Sequence, residues 1–369
     1  MANIGIDARF AFGKKRGIGI YSINLIQNIL NLDSENSYFL FVDSYIYKSE
    51  FIDWKFNIRF VKLPIKFYPI WEQVLLPYYI KKYNIDLFHG LGSTAPLVKL
   101  NTYKLITTIH DVFYMKQFNF VKTPYLWQKL GRVYRKIIVP IVAEKSDLII
   151  TVSNFAKKDI INEFSLSEDK VKVIYLGTSK IFSNVEFKDR YKNKKIGITI
   201  TGKDPQKNII NLLESLNVIF KKKLLDEFIV IGIKEDEYKQ FIHKNHRSKI
   251  KILEFASQEC IKTLLLESWV FILASHYESF GIPAVEAMKC SLPVISSNKG
   301  ALPEITGMES MSFNPNKLST DLPVKLEKLS DINFYNKIAR KSWARGEDFS
   351  YESTAKTTLD FYKNILEGI

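Results

Sequence analysis

The 369-residue chain has only two cysteines, Cys260 and Cys290. They lack CxxC spacing, which excludes a disulfide framework and a cysteine-ligated metal centre and fits a reducing compartment. Long hydrophobic runs are also missing. A membrane-spanning helix needs about 18 apolar residues, whereas Ile137 to Ala143 stops at seven and contains Pro140. The opening Ile4-Gly5-Ile6-Asp7-Ala8-Arg9 carries no basic, apolar and small-residue leader, so the expected address is the cytoplasm. Low-complexity tracts, short repeats, zinc spacings, helix-turn-helix cues and RNP-like motifs are absent too, which argues against a nucleic-acid partner.

What is present is an ordinary globular composition, 46% hydrophobic and 25% charged, in a length that suits two or three domains. Acidic residues are outnumbered: 53 Lys and Arg against 39 Asp and Glu give a net charge of +14. Residues 1–180 carry 25 basic and 15 acidic side chains, residues 181–369 carry 28 and 24, so the excess lies in the first half. Such asymmetry points to an anionic partner. A lysine-rich genome bias would give the same balance.

Short apolar runs alternate with amphipathic stretches along the chain. Expected strands in the first half are 4–8, 38–42, 58–63, 85–88, 104–109 and 148–152, too continuously apolar for a half-exposed sheet. The second half repeats the alternation with 171–176, 196–201, 228–232, 250–255, 270–274 and 293–296, and with a helical pattern at Ile209, Leu212, Leu213, Leu216 and Ile219. Alternation of this kind means a doubly wound α/β fold. Ser179 to Lys195, polar and rich in Lys, Asn and Asp, reads as the linker between two domains. Asp348 to Ile369 reads as a final amphipathic helix with Ala355, Leu359, Tyr362 and Leu366 on one stripe.

Ligands of open parallel sheets bind beyond the carboxyl ends of the strands. The residues there are Gly13 to Gly19, His89 and Gly90, His110 and Asp111, Ser153, Gly202 and Lys203, and Glu278. The first loop leads into a helix expected near Tyr21. Gly17 and Gly19 permit close approach of an anion to that helix start, and a glycine turn with surface lysines reads equally well. In Gly202-Lys203-Asp204-Pro205-Gln206-Lys207-Asn208, Asp204 suits an N-cap and Pro205 the first helical position, so two lysines stand beside a helix start. Either they hold phosphates or they are solvated. In the stretch His276 to Met288, Glu278 and Glu286 flank a helix start with Ser279, Phe280 and Gly281 between them and Pro283 in the first turn. Helical spacing would part their backbones by roughly 12 Å, more than the roughly 5–9.5 Å of a glycosidase carboxylate pair. It suits the two ends of an extended ligand whose central anion rests on the helix N-terminus; the alternative is an N-terminal Glu paired with the helix macrodipole and an unrelated exposed Glu.

These residues resemble the retaining family 4 glycosyltransferases of GT-B fold. The resemblance rests on a Glu-x7-Glu match at Glu278 and Glu286 within ESFGIPAVEAM, followed by Pro293-Val294 and Leu302-Pro303-Glu304. GIDAR with its GIG-Y segment, Thr108 to Asp111, Asp147 to Ser153 and the Gly202 to Asn208 turn extend it over nearly the whole chain. Ser291, Ala274 and Lys203 depart from the residues common there.

The resemblance implies two Rossmann-like doubly wound parallel-sheet domains facing a cleft. An acceptor-binding domain would span 1–180 and a nucleotide-sugar-binding domain 181–347, with a C-terminal helix, 348–369, crossing back onto the first. Glu286 would bind the ribose hydroxyls of a nucleotide-sugar and Glu278 the donor sugar. Lys203 and Lys207 would neutralise the diphosphate, His110 would contact the donor sugar, Gly17 to Gly19 would close over the phosphates, and the base would lie near Phe255. The other reading of His110 is a core histidine satisfied by backbone. His89 and His276 read as structural. Neither a cofactor nor a divalent metal is expected: there is no Asp-x-Asp, and Glu235-x-Glu237 reads as a surface-helix cap. The reaction implied is retaining transfer of a hexose, with a lean to GDP-mannose.

Aromatics and basic residues interleave between Phe67 and Tyr83 and between Lys116 and Lys136, where Phe118, Phe120, Tyr125, Trp127 and Tyr134 alternate with Lys122, Lys129, Arg132, Arg135 and Lys136. That mixture suits peripheral contact with an anionic membrane. The expected acceptor is therefore a glycan, lipid-linked, at the inner face of the cytoplasmic membrane in bacterial surface polysaccharide assembly. The alternatives are a soluble GT-B transferase acting on a free sugar, sugar phosphate or protein, and a non-catalytic basic membrane-binding protein.

Overall fold

The computed structural model describes residues 1–12, 17–43, 58–115, 126–183, 185–187 and 193–368, without the side chains of 126–129. Gly13 to Arg16 and most of the aromatic-basic stretch 116–129 lie outside the described residues.

The chain divides into two units. One comprises the described residues of Met1–Gln117, Lys122–Gly177 and Ser350–Ile369; the other comprises Thr178–Phe349. The first unit holds β1 (Asn3–Asp7), β2 (Ser37–Val42), β3 (Ile58–Lys62), β4 (Leu87–Gly90), β5 (Lys104–Thr108), β6 (Leu148–Thr151) and β7 (Val171–Val173). They form one parallel sheet in the order β3-β2-β1-β4-β5-β6-β7. The second holds β8 (Ile196–Ile200), β9 (Glu227–Ile231), β10 (Ile250–Leu253), β11 (Val270–Leu273), β12 (Val294–Ser297) and β13 (Ser312–Phe313), in the order β10-β9-β8-β11-β12-β13, again all parallel. Both are the doubly wound sheets that the periodicity implies. Most strands are buried along their length, which is why they read as unbroken apolar runs.

Four local readings need correction. The strand expected at 171–176 is shorter, Val171–Val173, and forms the edge strand β7 of the first sheet, within the 1–180 domain. Ser312–Phe313 is a two-residue strand with no periodicity to announce it. The first helix begins at Gly17 rather than near Tyr21. Pro205 opens a 3-10 turn, Pro205–Lys207, in which Asp204 makes no side-chain cap; the α-helix Ile209–Lys221 starts only after Asn208, whose φ is 57°.

The core of the second unit buries Leu212, Leu213, Leu216 and Ile219 of that helix, and stacks Trp269 on Tyr335 with ring centroids 5.5 Å apart. The Tyr335 hydroxyl donates to the Trp269 carbonyl at 2.9 Å, so a buried phenol is satisfied. In the first unit, the helix Tyr351–Glu367 packs on the helix Gly17–Leu32. Its buried face is Tyr351, Thr354, Ala355, Thr358 and Tyr362, turned from the expected stripe because Thr354 and Thr358 bond back to helix carbonyls and can enter the interface. A Cβ on Gly177 would meet the Tyr351 backbone nitrogen at 2.1 Å, so only glycine permits this helix to begin where it does.

Candidate functional site

Each sheet reverses its strand order once, at β1/β4 and at β8/β11. At such a switch point the loops leave in opposite directions and open a crevice for ligands. The expected site residues fall at these two places, and the units are described in turn.

In the second unit, the loop after β8 carries Gly202 to Lys207 and the loop after β11 carries Ala274 to Gly281. The His276 backbone N–H donates to the Gln206 carbonyl at 2.7 Å, and Asn208 donates its amide to the Ala274 and Pro315 carbonyls at 3.1 and 3.0 Å. These bonds tie the two loops together. Lys207 Nζ then meets Glu278 Oε1 at 2.7 Å, with both side chains largely but not wholly covered. The same oxygen accepts from Ser275 Oγ at 2.8 Å. Ser275 is held in turn by Ser297, whose hydroxyl donates to the Ser275 carbonyl at 2.5 Å. Lys203 points elsewhere: its ammonium pairs with Glu237 at 2.6 Å in an exposed salt bridge. The acidic pair Glu235-x-Glu237 thus lies on a one-turn helix, Glu235–Tyr238, with Glu237 engaged by Lys203.

The helix Ile282–Lys289 follows Gly281, whose φ of 99° is left-handed and favours glycine. Phe280 is buried against Phe349. Gly300, also left-handed, approaches so closely that a Cβ would lie 2.6 Å from the Glu278 carbonyl oxygen and 2.7 Å from its nitrogen. Sequence reading passed over Ser275 and Gly300, although both stand just beyond buried strands. Glu286 is 5% exposed, and among the described residues no group donates a hydrogen bond to its carboxyl. Burial alone pushes its pKa up to about 8. A nearly buried carboxyl with spare acceptor capacity can receive hydroxyl donors from a ligand. Phe255 stands 83% exposed beyond β10, available to stack on a flat ring.

In the first unit, Gly17 and Gly19 begin the helix Gly17–Leu32. His110 follows β5. Its Nε2 lies 3.0 Å from the Leu91 carbonyl oxygen. A carbonyl only accepts, so Nε2 carries the proton and Nδ1 presents a lone pair. The His110 pKa is lowered to about 4, mainly by burial, so the ring is neutral at pH 7. His89 is fully buried with both nitrogens bonded, as a structural reading requires: Nδ1 to the Tyr362 hydroxyl at 2.6 Å and Nε2 to Thr108 Oγ1 at 2.8 Å. Its pKa falls to about 3, chiefly through burial.

Beside the β1/β4 switch, Arg9 lies in a buried cluster. Its Nη2 is 3.0 Å from Asp7 Oδ2 and 3.7 Å from Glu72 Oε1, and its guanidinium sits 3.9 Å from the Tyr68 ring centroid and 4.1 Å from that of Trp71. Glu72, in the π-helical turn Trp71–Leu75, also accepts from Tyr68, Thr94 and Tyr134. Burial outweighs Arg9 and raises the Asp7 pKa to about 6. Among the described residues no three His, Cys, Asp or Glu side chains gather as metal ligands.

A pair of parallel doubly wound sheets with polar loops at both switch points is the architecture of a GT-B glycosyltransferase. A solved glycosyltransferase from Rickettsia africae superposes over all of this chain and 99% of its own, with a TM-score of 0.69 at 20% identity, which speaks to the fold. Two family descriptions tile the sequence: "Glycosyltransferase Family 4" over residues 47–179 and "Glycosyl transferases group 1" over 181–341. The chain belongs to the family 4 glycosyltransferases and is a hexosyltransferase. That sets aside the non-catalytic alternative. Among curated relatives, the O-antigen chain mannosyltransferase B of Escherichia coli is 24% identical over 297 residues, 77% of this chain and 76% of that one. A probable sucrose-phosphate synthase of Thermosipho melanesiensis is 30% identical over 253 residues, 65% of this chain and 56% of its own.

Proposed function

We propose that this enzyme moves a hexose, with mannose from GDP-mannose as the first candidate, onto a lipid-linked glycan in surface polysaccharide assembly, retaining anomeric configuration and needing no divalent metal. The observation that carries the reading is the Lys207–Glu278 pair at the β8/β11 switch, followed in the helix Ile282–Lys289 by the unpartnered carboxyl of Glu286. The mannose lean rests on the Escherichia coli relative.

In this reading Glu286 receives the ribose hydroxyls, Phe255 faces the base, and the diphosphate lies between Lys207 and the N-terminus of the helix Ile282–Lys289. Ser279, Phe280 and Gly281 supply backbone at that helix start, and Gly202 lets the chain approach. Lys203 reaches the phosphates by leaving its exposed pair with Glu237. Glu278 holds the sugar through Oε2, since Oε1 is taken by Lys207 and Ser275. As the sugar's C1–O bond breaks, negative charge grows on the departing diphosphate. A lysine and helix N–H groups fixed around it stabilise that charge more than the ground state. The acceptor hydroxyl attacks from the same face, and its proton passes to the leaving phosphate oxygen. On the first unit, His110 offers Nδ1 to a sugar hydroxyl, and the helix start at Gly17 and Gly19 suits an anion.

For membrane contact, the support is one face of the first unit. Leu130, Val133 and Ile137, on the helix Leu126–Lys145, are each at least half exposed and share one stripe, with Arg135 and Lys136 exposed beside them. Tyr134 of that helix packs on Tyr68, next to a segment exposing Ile70, Val74 and Tyr78. Apolar side chains rimmed by cations fit peripheral binding to the anionic inner face of the cytoplasmic membrane. No helix among the described residues is long and apolar enough to cross one. The second reading, a sugar-phosphate acceptor in solution, is favoured by the sucrose-phosphate synthase relative.

The experiment supplies GDP-[14C]mannose with bacterial lipid extract or with hexose phosphates, with and without EDTA. Label in the organic phase, unaffected by EDTA and with the donor's anomeric configuration, supports the proposal. Label only on the soluble acceptor overturns the lipid-linked part. Salt-sensitive sedimentation with anionic vesicles, lost in L130S/V133S/I137S, tests the membrane face.

A further inference from the structure

The buried polar chain beneath His110 has no role in the steps above. It starts on the last helix, where the Tyr362 hydroxyl bonds His89 Nδ1 at 2.6 Å. It continues through His89 Nε2 to Thr108 Oγ1 at 2.8 Å and from there to the Tyr21 hydroxyl at 3.0 Å. Tyr21, His89, Thr108 and Tyr362 are each at most 2% exposed. The tyrosines hold their protons, since burial raises both phenols. The chain is neutral and sealed from water, where hydrogen bonds are stiff and a missing partner is costly.

The chain approaches His110 from two sides. Tyr21 sets its ring edge-to-face against the imidazole, with centroids 4.7 Å apart. Leu91, whose carbonyl holds Nε2, stands two residues after His89; His110 itself stands two residues after Thr108. His89 therefore cross-links the ends of β4 and β5, the strands that carry His110 and its acceptor.

We infer that Tyr362, His89, Thr108 and Tyr21 form a positioning chain through which the C-terminal helix fixes the orientation and tautomer at which His110 presents Nδ1 to substrate. The inference rests on the reading of His110 as a sugar contact, and places a requirement for that contact on the last helix of the chain. Its members are positioning residues; none touches substrate.

The test uses Tyr362→Phe, which removes one oxygen from the full-length protein. Histidine 15N NMR is the first readout, because the chain has only five histidines. The wild type should show His110 as a neutral Nε2–H tautomer with well-separated ring nitrogens. In Tyr362→Phe those signals should move toward each other, and kcat for hexose transfer should fall about tenfold with the donor KM little changed, as expected for misplacement of a contact by a fraction of an ångström. Tyr21→Phe breaks the chain at its other end and should reproduce both effects, which guards against a folding defect in either variant. Unchanged His110 signals in both variants overturn the inference. If the wild type transfers no hexose, the functional reading fails instead, and the NMR result still decides whether the chain positions His110.

Discussion

Replacing Glu286 by glutamine isolates the cost of keeping a carboxyl in the candidate nucleotide site without a partner. The folded protein holds the Glu286 proton up to about pH 8, against an ordinary value of 4.5, and burial is the cause. Below pH 4.5 both folded and unfolded chains keep that proton. Between 4.5 and about 8 the unfolded chain releases it while the folded one does not, so stability falls as pH rises through this window and levels off above it. At about 1.4 kcal/mol for each tenfold difference in proton affinity, the whole window is worth roughly 4–5 kcal/mol. Glutamine does not titrate, so the variant escapes this slope and carries only a constant offset. Unfolding of both proteins in urea at pH 5, 6, 7 and 8 cancels the other titrating groups. The wild type should lose roughly 4 kcal/mol relative to Glu286→Gln across that range, or about 10 °C in melting temperature for a unit of this size. A difference that stays flat from pH 5 to 8 would refute the reasoning.

Lys207→Ala removes the inward cation of the β8/β11 switch and should lower kcat by about 10²–10³-fold in a single-turnover transfer assay; an unchanged rate would assign the leaving-group charge to other residues. Gly300→Ala forces a Cβ to within 2.6 Å of the Glu278 carbonyl oxygen at a left-handed φ, and should cost more than about 1 kcal/mol in chemical denaturation while impairing donor binding. Arg9→Met leaves Asp7 and Glu72 buried without their cation and should destabilise the first unit by about 3–5 kcal/mol at pH 7.5. Acidification toward pH 5 should recover part of that loss, because Asp7 already titrates near 6; denaturation midpoints at the two pH values read it directly.

Most strands could be read from the sequence because both faces of a parallel sheet are buried, leaving runs such as Val270–Leu273 with no polar interruption. The positions of Glu278 and His110 followed from one rule, that ligands gather beyond strand ends, whereas Lys207 was reached through a helix start that is in fact the 3-10 turn Pro205–Lys207. What each side chain does there depends on contacts too distant for local patterns. Lys203 and Lys207 look alike in the sequence, and only folding gives one to Glu237 and the other to Glu278. His89 reads as an ordinary core histidine because its partner Tyr362 lies 273 positions away. Likewise, the buried face of the last helix takes in Thr354 and Thr358 because carbonyls one turn back satisfy their hydroxyls.

The most direct test of the central claim, a nucleotide-sugar site built on Glu286 and Lys207, is a thermal-shift panel of GDP, UDP, dTDP and ADP with their sugars on wild type and Glu286→Ala. A ligand at about 100 times its dissociation constant adds roughly 2.7 kcal/mol of stability. The account predicts selective stabilisation of the wild type by one nucleotide, GDP first, and its loss in the variant. Melting of the wild type unmoved by every nucleotide in the panel would contradict it.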